Sequence, residues 1–243
     1  MRFYKEVGAV TLKQDSSPLT DADRASHEFL IQSLPELIPG VPVISEESND
    51  PTTTLRDATE RFWLVDPLDG TKEFLKGTGE FTVNIALVEN GRPVAGAVHA
   101  PALGFSYFAD LENGAFRQKL NGPPVAIHIQ KANRDALKVV ASKDHAGPLV
   151  QKMLAQIPNA ELKSMGSSLK FCLVAEGSAD IYLRDVPTME WDTAAAQCVV
   201  EAAGGQILTL DGQPLRYGKP SLKNPSLVTV GDPGLDWKTL IGP

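Results

Sequence analysis

The chain has 243 residues, of which 42% are apolar and 22% are charged, and this composition is typical of a globular protein rather than of a disordered chain. The formal net charge of −7 lacks the basic excess that proteins use to bind a nucleic-acid polymer. The sequence has neither a run of 18 apolar residues nor a leader-like start. We therefore expect no transmembrane segment and a cytoplasmic location, either free or peripherally on the inner membrane.

The first recognisable element is a helix in the segment "LTDADRASHEFLIQSL". Thr20 or Asp21 is a suitable cap, and Ala25, Phe29 and residues 31–34 are expected to form its apolar face. The short β-branched run "VPVISEES" and the longer apolar run "RFWLVDPLDG" follow as strands. Both strands are predicted to end in acidic residues.

The next segments predict an antiparallel sheet. "FTVNIALV" and "VAGAVHA" flank Asn90-Gly91, and "GFSYFAD" and "GAFRQK" flank Asn113-Gly114. Asn-Gly between two alternating apolar runs is a strong local signal for a β-hairpin.

After "NGPP" the pattern changes to alternating strands and helices. "LKVVAS", "ADIYLR" and "QILTL" predict strands, whereas "GPLVQKMLAQI", "SSLKFCLVAEG" and "TAAAQCVVEAAGG" predict helices. We therefore expect an α+β lobe over residues 1–133 and an α/β lobe over residues 134–243. Cys172 and Cys198 lie in two of the helical segments without metal-ligand spacing, which predicts buried free thiols.

Three acidic features lie far apart in the sequence: Glu46 in "SEES", the pair Asp66 and Asp69 in "WLVDPLDGTKEF", and Asp192 before a helix. Taken singly, "SEES" is typical of a solvated loop and Asp192 of a helix cap. Unpaired carboxylates directly after an apolar strand are costly, however, so the combination indicates a bound cation. Oxygen ligands without suitably spaced Cys or His favour Mg²⁺ over zinc, and such clusters are typical of phosphoryl transfer to water.

The segments "SEES", "WLVDPLDGTKEF", "GEFTVNIALVENGRPVAGAVHAP" and "WDTAAAQ…EAAGG" resemble the inositol monophosphatase superfamily over nearly the whole chain. Within it, "GSSLKFCLVAEGSADIYLR" is most similar to bacterial 3'(2'),5'-bisphosphate nucleotidases of the CysQ type. The resemblance implies a two-lobed αβαβα sandwich of the inositol monophosphatase/fructose-1,6-bisphosphatase type. It also implies a lithium-sensitive phosphatase with two or three Mg²⁺ ions per site, acting as a monomer or homodimer. The family has a full helix before the segment that matches residues 1–20, and this chain begins within or just after that helix.

The resemblance also assigns residues to roles. The implied metal ligands are Glu46, Asp66, the Leu68 carbonyl, Asp69 and Asp192. The implied catalytic residues are Asp23 and Thr71, which pair to orient the attacking water, with help from Glu46. The implied substrate contacts are Leu68, Asp69, Gly70, Thr71, Ser142, His145, Gly166, Ser167, Lys170, Arg184 and Asp192.

The charges of Lys170 and Arg184 predict the class of substrate. Inositol phosphatases generally carry uncharged residues at the position of Lys170 and an acid near that of Arg184, whereas two cations suit a second phosphate. Gly166 and Ser167 at a helix start are expected to add backbone donors. The alternatives are that Lys170 and Arg184 are solvated surface charges and that His145 is an ordinary surface histidine.

We therefore expect hydrolysis of adenosine 3',5'-bisphosphate to AMP and phosphate. An inositol or other sugar phosphatase is the alternative enzyme. A non-catalytic Mg²⁺- or nucleotide-binding module is a further alternative, although such a module has no use for the Thr71–Asp23 pair. A purely structural protein needs neither the acids nor the turn.

Overall fold

The computed structural model describes residues 1–4, 10–12, 18–53, 60–141, 147–157 and 159–241. Two β-sheets and three layers of helices alternate in it. This arrangement confirms the predicted αβαβα layering.

The first sheet has seven strands in the order β3-β4-β5-β6-β7-β8-β9. Strands β3 and β4 are parallel and all later neighbours are antiparallel. The bounds are β3 Val43–Ser45, β4 Arg61–Asp69, β5 Thr82–Glu89, β6 Arg92–Ala100, β7 Phe105–Asp110, β8 Gly114–Lys119 and β9 Pro124–Ala126. Both predicted hairpins, β5–β6 and β7–β8, are confirmed. Asn90 and Gly91 both have positive φ, as a tight hairpin turn requires.

The second sheet has five strands in the order β11-β10-β12-β16-β14. Strands β11, β10 and β12 are parallel, whereas β16 runs antiparallel to both of its neighbours. The bounds are β10 Lys138–Ala141, β11 Glu161–Ser164, β12 Ile181–Arg184, β14 Gln206–Thr209 and β16 Leu227–Val230. Two further two-stranded pairs join β1 Val10–Leu12 with β2 Pro18–Thr20, and β13 Thr188–Met189 with β15 Lys223–Asn224.

The helices cover both faces of each sheet. Their bounds are α1 Asp21–Leu37, α2 Thr71–Lys76, α3 Pro148–Gln156, α4 Leu169–Ala175, α5 Ala194–Ala202 and α6 Trp237–Ile241. Helix α1 packs on β3 and β4, α4 and α5 lie between the two sheets, and α3 contacts β12 and α6 on the outer side of the second sheet. Because both faces of such a strand are covered, its sequence is expected to be continuously apolar rather than to alternate between apolar and polar residues.

Strand β4 shows this effect directly. Trp63 and Val65 pack with Leu30 and Leu34 of α1, whereas Phe62 and Leu64 belong to the core that contains α4 and α5. The strand therefore buries side chains on both faces and reaches its acidic end without a polar interruption.

Helix α1 begins as predicted but exposes part of the expected face. Thr20 is the N-cap, and its hydroxyl and backbone N–H form a capping box with Asp23. The predicted burial of Ala25, Phe29 and Ile31 is wrong, because all three are exposed and Phe29 is 66% exposed. The apolar residues of α1 could form either of two neighbouring helix faces. Contact with β4 buries the face that contains Leu30 and Leu34.

Helix α5 approaches the first sheet closely. A Cβ atom placed on Gly96 of β6 would lie 2.5 Å from the Ala195 carbonyl oxygen and 2.9 Å from the Cys198 Cβ. The absent side chain at position 96 therefore permits this packing distance.

The predicted lobe boundary after residue 133 falls between β9 and β10. One large buried core nevertheless contains residues of both sheets together with α4 and α5, so the division into two lobes stays a prediction. Cys172 and Cys198 are buried free thiols, as expected. No helix among the described residues is long and apolar enough to cross a bilayer.

Candidate active site

Strand β4 delivers two aspartates to one end of the first sheet. Asp66 is 1% exposed, Asp69 is half-buried, and the pairing of β4 with β5 shifts register between them. The Leu68 N–H donates to Asp66 Oδ1 at 3.0 Å. Gly70 then turns the chain into α2 with a φ of 90°, a conformation that favours glycine.

Glu46 and Asp192 reach the same region from other elements. Glu46 directly follows β3, and its backbone N–H donates to the Val65 carbonyl of the parallel strand β4 at 3.1 Å. Asp192 ends a 3-10 turn, Glu190–Asp192, which contacts β4 and β5 and leads into α5. The carboxyl end of β4 and the start of α5 are thus brought together.

The electrostatics indicate that these acids are neighbours. Burial raises the pKa of Asp66 well above its usual value, and the negative charges of Glu46, Asp69 and Asp192 raise it further. Burial also raises the pKa of Asp192, with Asp69 as the next contribution and Glu46 adding to it. Four carboxylates in mutual repulsion form a strongly negative pocket.

The donor set fits a hard cation. Its side-chain atoms are carboxylate oxygens, and the Leu68 carbonyl lies between two of them in sequence, as Mg²⁺ or a similar ion prefers. Within the described ranges, however, no three or more acidic, histidine or cysteine side chains are arranged to hold an ion as they stand. Electrostatic repulsion acts over longer distances than metal ligation, so acids can affect one another's pKa without forming a set of ligands. In this conformation the carboxylate oxygens of Asp66, Asp69 and Asp192 accept other hydrogen bonds.

Thr71 and Asp23 each form hydrogen bonds with a residue three positions earlier in the chain. The Thr71 hydroxyl donates to the Leu68 carbonyl at 3.4 Å. Asp23 Oδ2 accepts from the backbone N–H and the hydroxyl of Thr20, at 2.8 and 2.6 Å. Their pairing around a water therefore stays a prediction.

The loop before α4 contacts the acids rather than lying open. Asp69 Oδ2 accepts from the Ser167 hydroxyl at 2.5 Å, and from the backbone N–H and hydroxyl of Ser168, both at 2.7 Å. The Gly166 N–H donates to Glu80 Oε2 at 2.9 Å. The backbone donor predicted for a substrate anion at Gly166 and the hydroxyl of Ser167 thus have protein acceptors here.

The cationic residues line the same cavity. Lys170 is 7% exposed, which excludes a solvated helix face. Its ammonium group donates to the carbonyls of Ser167 at 2.7 Å and Met165 at 3.4 Å. Burial lowers the pKa of Lys170 to about 8, an effect that Asp69 opposes and Arg184 reinforces. Arg184 is half-buried, and its Nε donates to the Val186 carbonyl at 3.2 Å.

A cavity of about 330 Å³ joins the two groups of charges. Its lining contains the carboxylates Asp69 and Asp192 and the cations Lys170 and Arg184. We name Asp69 and Asp192, with Glu46 and Asp66, the acidic end of the site, and Lys170 and Arg184 its cationic end. The remaining lining residues are Gly70, Lys72, Glu73, Ser167, Ser168, Phe171, Tyr182, Val186 and Thr188. The predicted contacts Ser142 and His145 lie outside the described residues.

Several site residues were not predicted. Ser168 contacts Asp69, Asn84 donates to the Ser168 hydroxyl at 2.9 Å, and Tyr182 lines the cavity. Polar residues inside the otherwise apolar segments "FTVNIALV" and "GSSLKF" were the available signal, because buried polar groups need partners.

Comparison with known proteins decides the family. The model of the inositol monophosphatase family matches residues 2–233. The chain belongs to this family. Enzymes of the inositol monophosphatase family are generally metal-dependent phosphatases.

Several relatives of the chain are named as bisphosphate nucleotidases. The chain is 45% identical over 220 residues to the 3'(2'),5'-bisphosphate nucleotidase CysQ of Salmonella typhimurium, covering 90% of this chain and 87% of that protein. It is 35% identical to the CysQ nucleotidase of Haemophilus influenzae, covering 98% of this chain and 90% of that protein.

Solved structures share the fold. CysQ of Bacteroides thetaiotaomicron, described as a bacterial member of the inositol monophosphatase family, has a TM-score of 0.80 at 40% identity, covering 90% of this chain and 86% of that one. An IMPase of Thermotoga maritima has a TM-score of 0.79 at 24% identity, covering 99% of this chain and 89% of that one. The second similarity supports the fold alone.

Proposed function

We propose that the protein is a Mg²⁺-dependent 3'(2'),5'-bisphosphate nucleotidase that hydrolyses adenosine 3',5'-bisphosphate to AMP and phosphate. The observation that carries the proposal is one cavity lined both by carboxylates and by the cations Lys170 and Arg184. A substrate with two phosphates on one small sugar matches this arrangement. The CysQ relatives, named as nucleotidases for this substrate class, support the same choice.

The acidic end is suited to the phosphate that is cleaved. Glu46, Asp66, Asp69, Asp192 and the Leu68 carbonyl would hold two or three Mg²⁺ ions, which would neutralise the phosphate and make water a better nucleophile. Ligation requires the Asp69 carboxylate to share its oxygens between the ions and its serine donors. The raised pKa of Asp66 is consistent with a carboxylate cluster that is stable as anions mainly when a cation is near.

The chain's own residues would orient the reaction. Thr71 and Asp23, with Glu46, position the attacking water and accept its proton, while Gly70 and Thr71 contact the phosphate. The water oxygen forms the new bond to phosphorus as the bond to the ribose 3'-oxygen breaks, and that oxygen takes a proton from a second water molecule. The products are inorganic phosphate and a nucleotide that keeps its 5'-phosphate.

The cationic end would bind this 5'-phosphate. An ammonium group has three N–H donors, and the carbonyls of Met165 and Ser167 accept two of those of Lys170. In the part of the chain that the structure describes, no acceptor takes the third. Arg184 would add a second charge-assisted contact, and Ser142 and His145 remain predicted contacts to the nucleoside.

Phosphate release from a substrate panel tests the proposal. Adenosine 3',5'-bisphosphate, adenosine 3'-monophosphate, inositol 1-phosphate and fructose 1,6-bisphosphate are compared with and without Mg²⁺. We expect kcat/KM to be highest for the adenosine bisphosphate and to require Mg²⁺. A preference for inositol phosphate would instead support the alternative sugar-phosphate phosphatase. The monomeric or homodimeric state and the cytoplasmic location stay predictions.

A further inference from the structure

A group of buried and half-buried polar side chains connects β5 with the loop before α4, and none of them was predicted as a ligand of the ions. We define the polar bridge as Thr82 and Asn84 of β5 with Ser167 and Ser168 of the loop before α4. Asn84 pairs with Asp66 across the sheet and Thr82 pairs with Asp69. Thr82, Asn84 and Ser168 are each at most 1% exposed. The polar bridge therefore lies directly beside the acidic end of β4.

The contacts of the polar bridge form a continuous path. The Thr82 hydroxyl lies 2.9 Å from Asn84 Oδ1 and 2.5 Å from the Ser167 hydroxyl, and it donates its single proton to one of them at a time. Asn84 Nδ2 donates to the Ser168 hydroxyl at 2.9 Å. The Ser167 and Ser168 hydroxyls and the Ser168 N–H then converge on Asp69 Oδ2. One carboxylate oxygen of Asp69 is thereby fixed, and the other is left for a different partner.

Ser168 also contacts the third element of the site. Its hydroxyl lies 2.7 Å from Asp69 Oδ2 and 2.7 Å from the Asp192 backbone oxygen, with donor geometry toward both. A hydroxyl has one proton, so it donates to one of these acceptors at a time. The donation from Asn84 uses a lone pair of the hydroxyl oxygen and thus restricts its proton to these two directions.

We propose that the polar bridge positions Asp69 and the Asp192 turn, and so pre-arranges carboxylates from β4 and from the start of α5 for ion binding. When Asp69 turns an oxygen toward an ion, the Ser168 hydroxyl keeps a hydrogen bond by donating to the Asp192 carbonyl. Ser167 acts in this scheme on Asp69 and is not a substrate contact. The inference rests on the proposed metal-assisted function, because it assigns positioning residues to that site.

Direct measurement of Mg²⁺ binding tests the polar bridge. Isothermal titration calorimetry on Asn84→Ala and Ser168→Ala should show Mg²⁺ affinity reduced about ten- to a hundredfold, as is typical when partners of metal ligands are removed. Because the two side chains act through one hydrogen bond, the double variant should lose less than the product of the single losses. At saturating Mg²⁺, KM of Asn84→Ala for the adenosine bisphosphate should change less than about twofold, because Asn84 does not line the cavity.

Tyr107→Phe is the matched control. Tyr107 lies on β7 of the same sheet and does not line the cavity. The change removes its buried hydroxyl, which donates to Glu176 at 2.7 Å. We expect a lower Tm but wild-type Mg²⁺ affinity. Asn84→Ala or Ser168→Ala with a lowered Tm and unchanged Mg²⁺ affinity would show that the polar bridge serves the fold alone.

Other results are also decisive. If Asn84→Ala does not fold, Ser168→Ala, which removes one hydroxyl, decides the question by the same affinity measurement. If the wild type binds Mg²⁺ with the expected dependence on the polar bridge but hydrolyses no phosphate ester, the proposed function fails and the positioning role stands.

Discussion

The acidic and cationic ends of the cavity are built in different ways. The acids stand on strand ends and on a short turn, where the backbone and a buried network of serines and an asparagine fix their positions. The cations extend from α4 and β12 on long side chains, and Lys170 is braced by two backbone carbonyls. The acidic end thus suits chemistry common to many phosphate esters, whereas the cationic end suits selection among them.

Asp69→Asn should have the largest effect and should act on every substrate. The change removes a charge from the ion site at nearly constant size, so kcat should fall by at least about a hundredfold, or about 2.7 kcal/mol of barrier. Glu112→Gln, at an exposed position of the β7–β8 loop, is the control and should be neutral. Steady-state kinetics showing near-normal turnover of Asp69→Asn at low Mg²⁺ would remove Asp69 from the ligand set.

Lys170→Met should have a smaller effect, confined to the bisphosphate. A charge-assisted hydrogen bond contributes about 1.5–3 kcal/mol, so kcat/KM for adenosine 3',5'-bisphosphate should fall about ten- to a hundredfold. Adenosine 3'-monophosphate should be hydrolysed almost as before. Lys72→Met is the control, because Lys72 is an exposed cation that lines the same cavity. It tests whether the loss of any nearby positive charge has the same effect. Equal losses on both substrates would indicate that Lys170 braces the loop at Met165 and Ser167 instead.

The pH dependence gives a finer test of the cationic end. Burial lowers the pKa of Lys170 to about 8, so the side chain is a cation below that pH and becomes neutral above it. At pH 9, one unit higher, about one molecule in ten keeps the charge, and kcat/KM for the bisphosphate should fall by up to about tenfold. The profile of Lys170→Met should be flat over this range. A profile that is the same for the wild type and the variant would contradict the assignment.

The same shift has a consequence for stability. A lysine whose pKa is lower in the folded state than in the unfolded state costs stability when it is protonated. The cost is fully present below about pH 8 and decreases as the pH rises toward the unfolded value of 10.5. Urea denaturation at pH 7 and pH 9.5 should therefore show a gain at the higher pH that is smaller in Lys170→Met.

Asp66→Asn should give the smallest effect, a change in stability without metal. The pKa of Asp66 is raised, so its charge is unfavourable in the folded protein, and wild-type stability should increase as the pH falls from neutral. Removing the charge should stabilise the metal-free protein and raise its Tm. Mg²⁺ should raise the Tm of the wild type more than that of the variant. A lower Tm for metal-free Asp66→Asn would show that its hydrogen bond to the Leu68 N–H outweighs the repulsion.

The sequence allowed most of the architecture to be predicted, because local signals decided it. The Asn90-Gly91 hairpin, the strand ending at Asp69 and the glycine-terminated helix α5 each have a pattern within a few residues. Strands β9, β11 and β16 were not predicted. Strands β9 and β11 are short edge strands with mostly exposed residues, whereas β16 is a short buried strand inside its sheet. The wrong face of α1 has a similar cause, since burial there depends on β4 and not on the helix itself.

The site was predicted unevenly. The acids could be grouped because carboxylates after apolar strands require a common explanation, and the structure brings Glu46, Asp66, Asp69 and Asp192 together. The hydroxyls of Ser167 and Ser168 could not be assigned, because a hydroxyl's partner depends on tertiary distances of a few tenths of an ångström. For the same reason the sequence could not distinguish a solvated Lys170 from the buried one that the structure shows.

The close approach of Gly96 to α5 limits which sequences this enzyme family member can explore. Any larger residue at position 96 would collide with the Ala195 carbonyl and press on the helix that begins two residues after Asp192. A substitution at Gly96, on the buried face of the sheet, would thus displace Asp192, the last carboxylate of the site. We expect random mutagenesis with selection for activity to recover few or no replacements at Gly96, although the residue does not line the cavity.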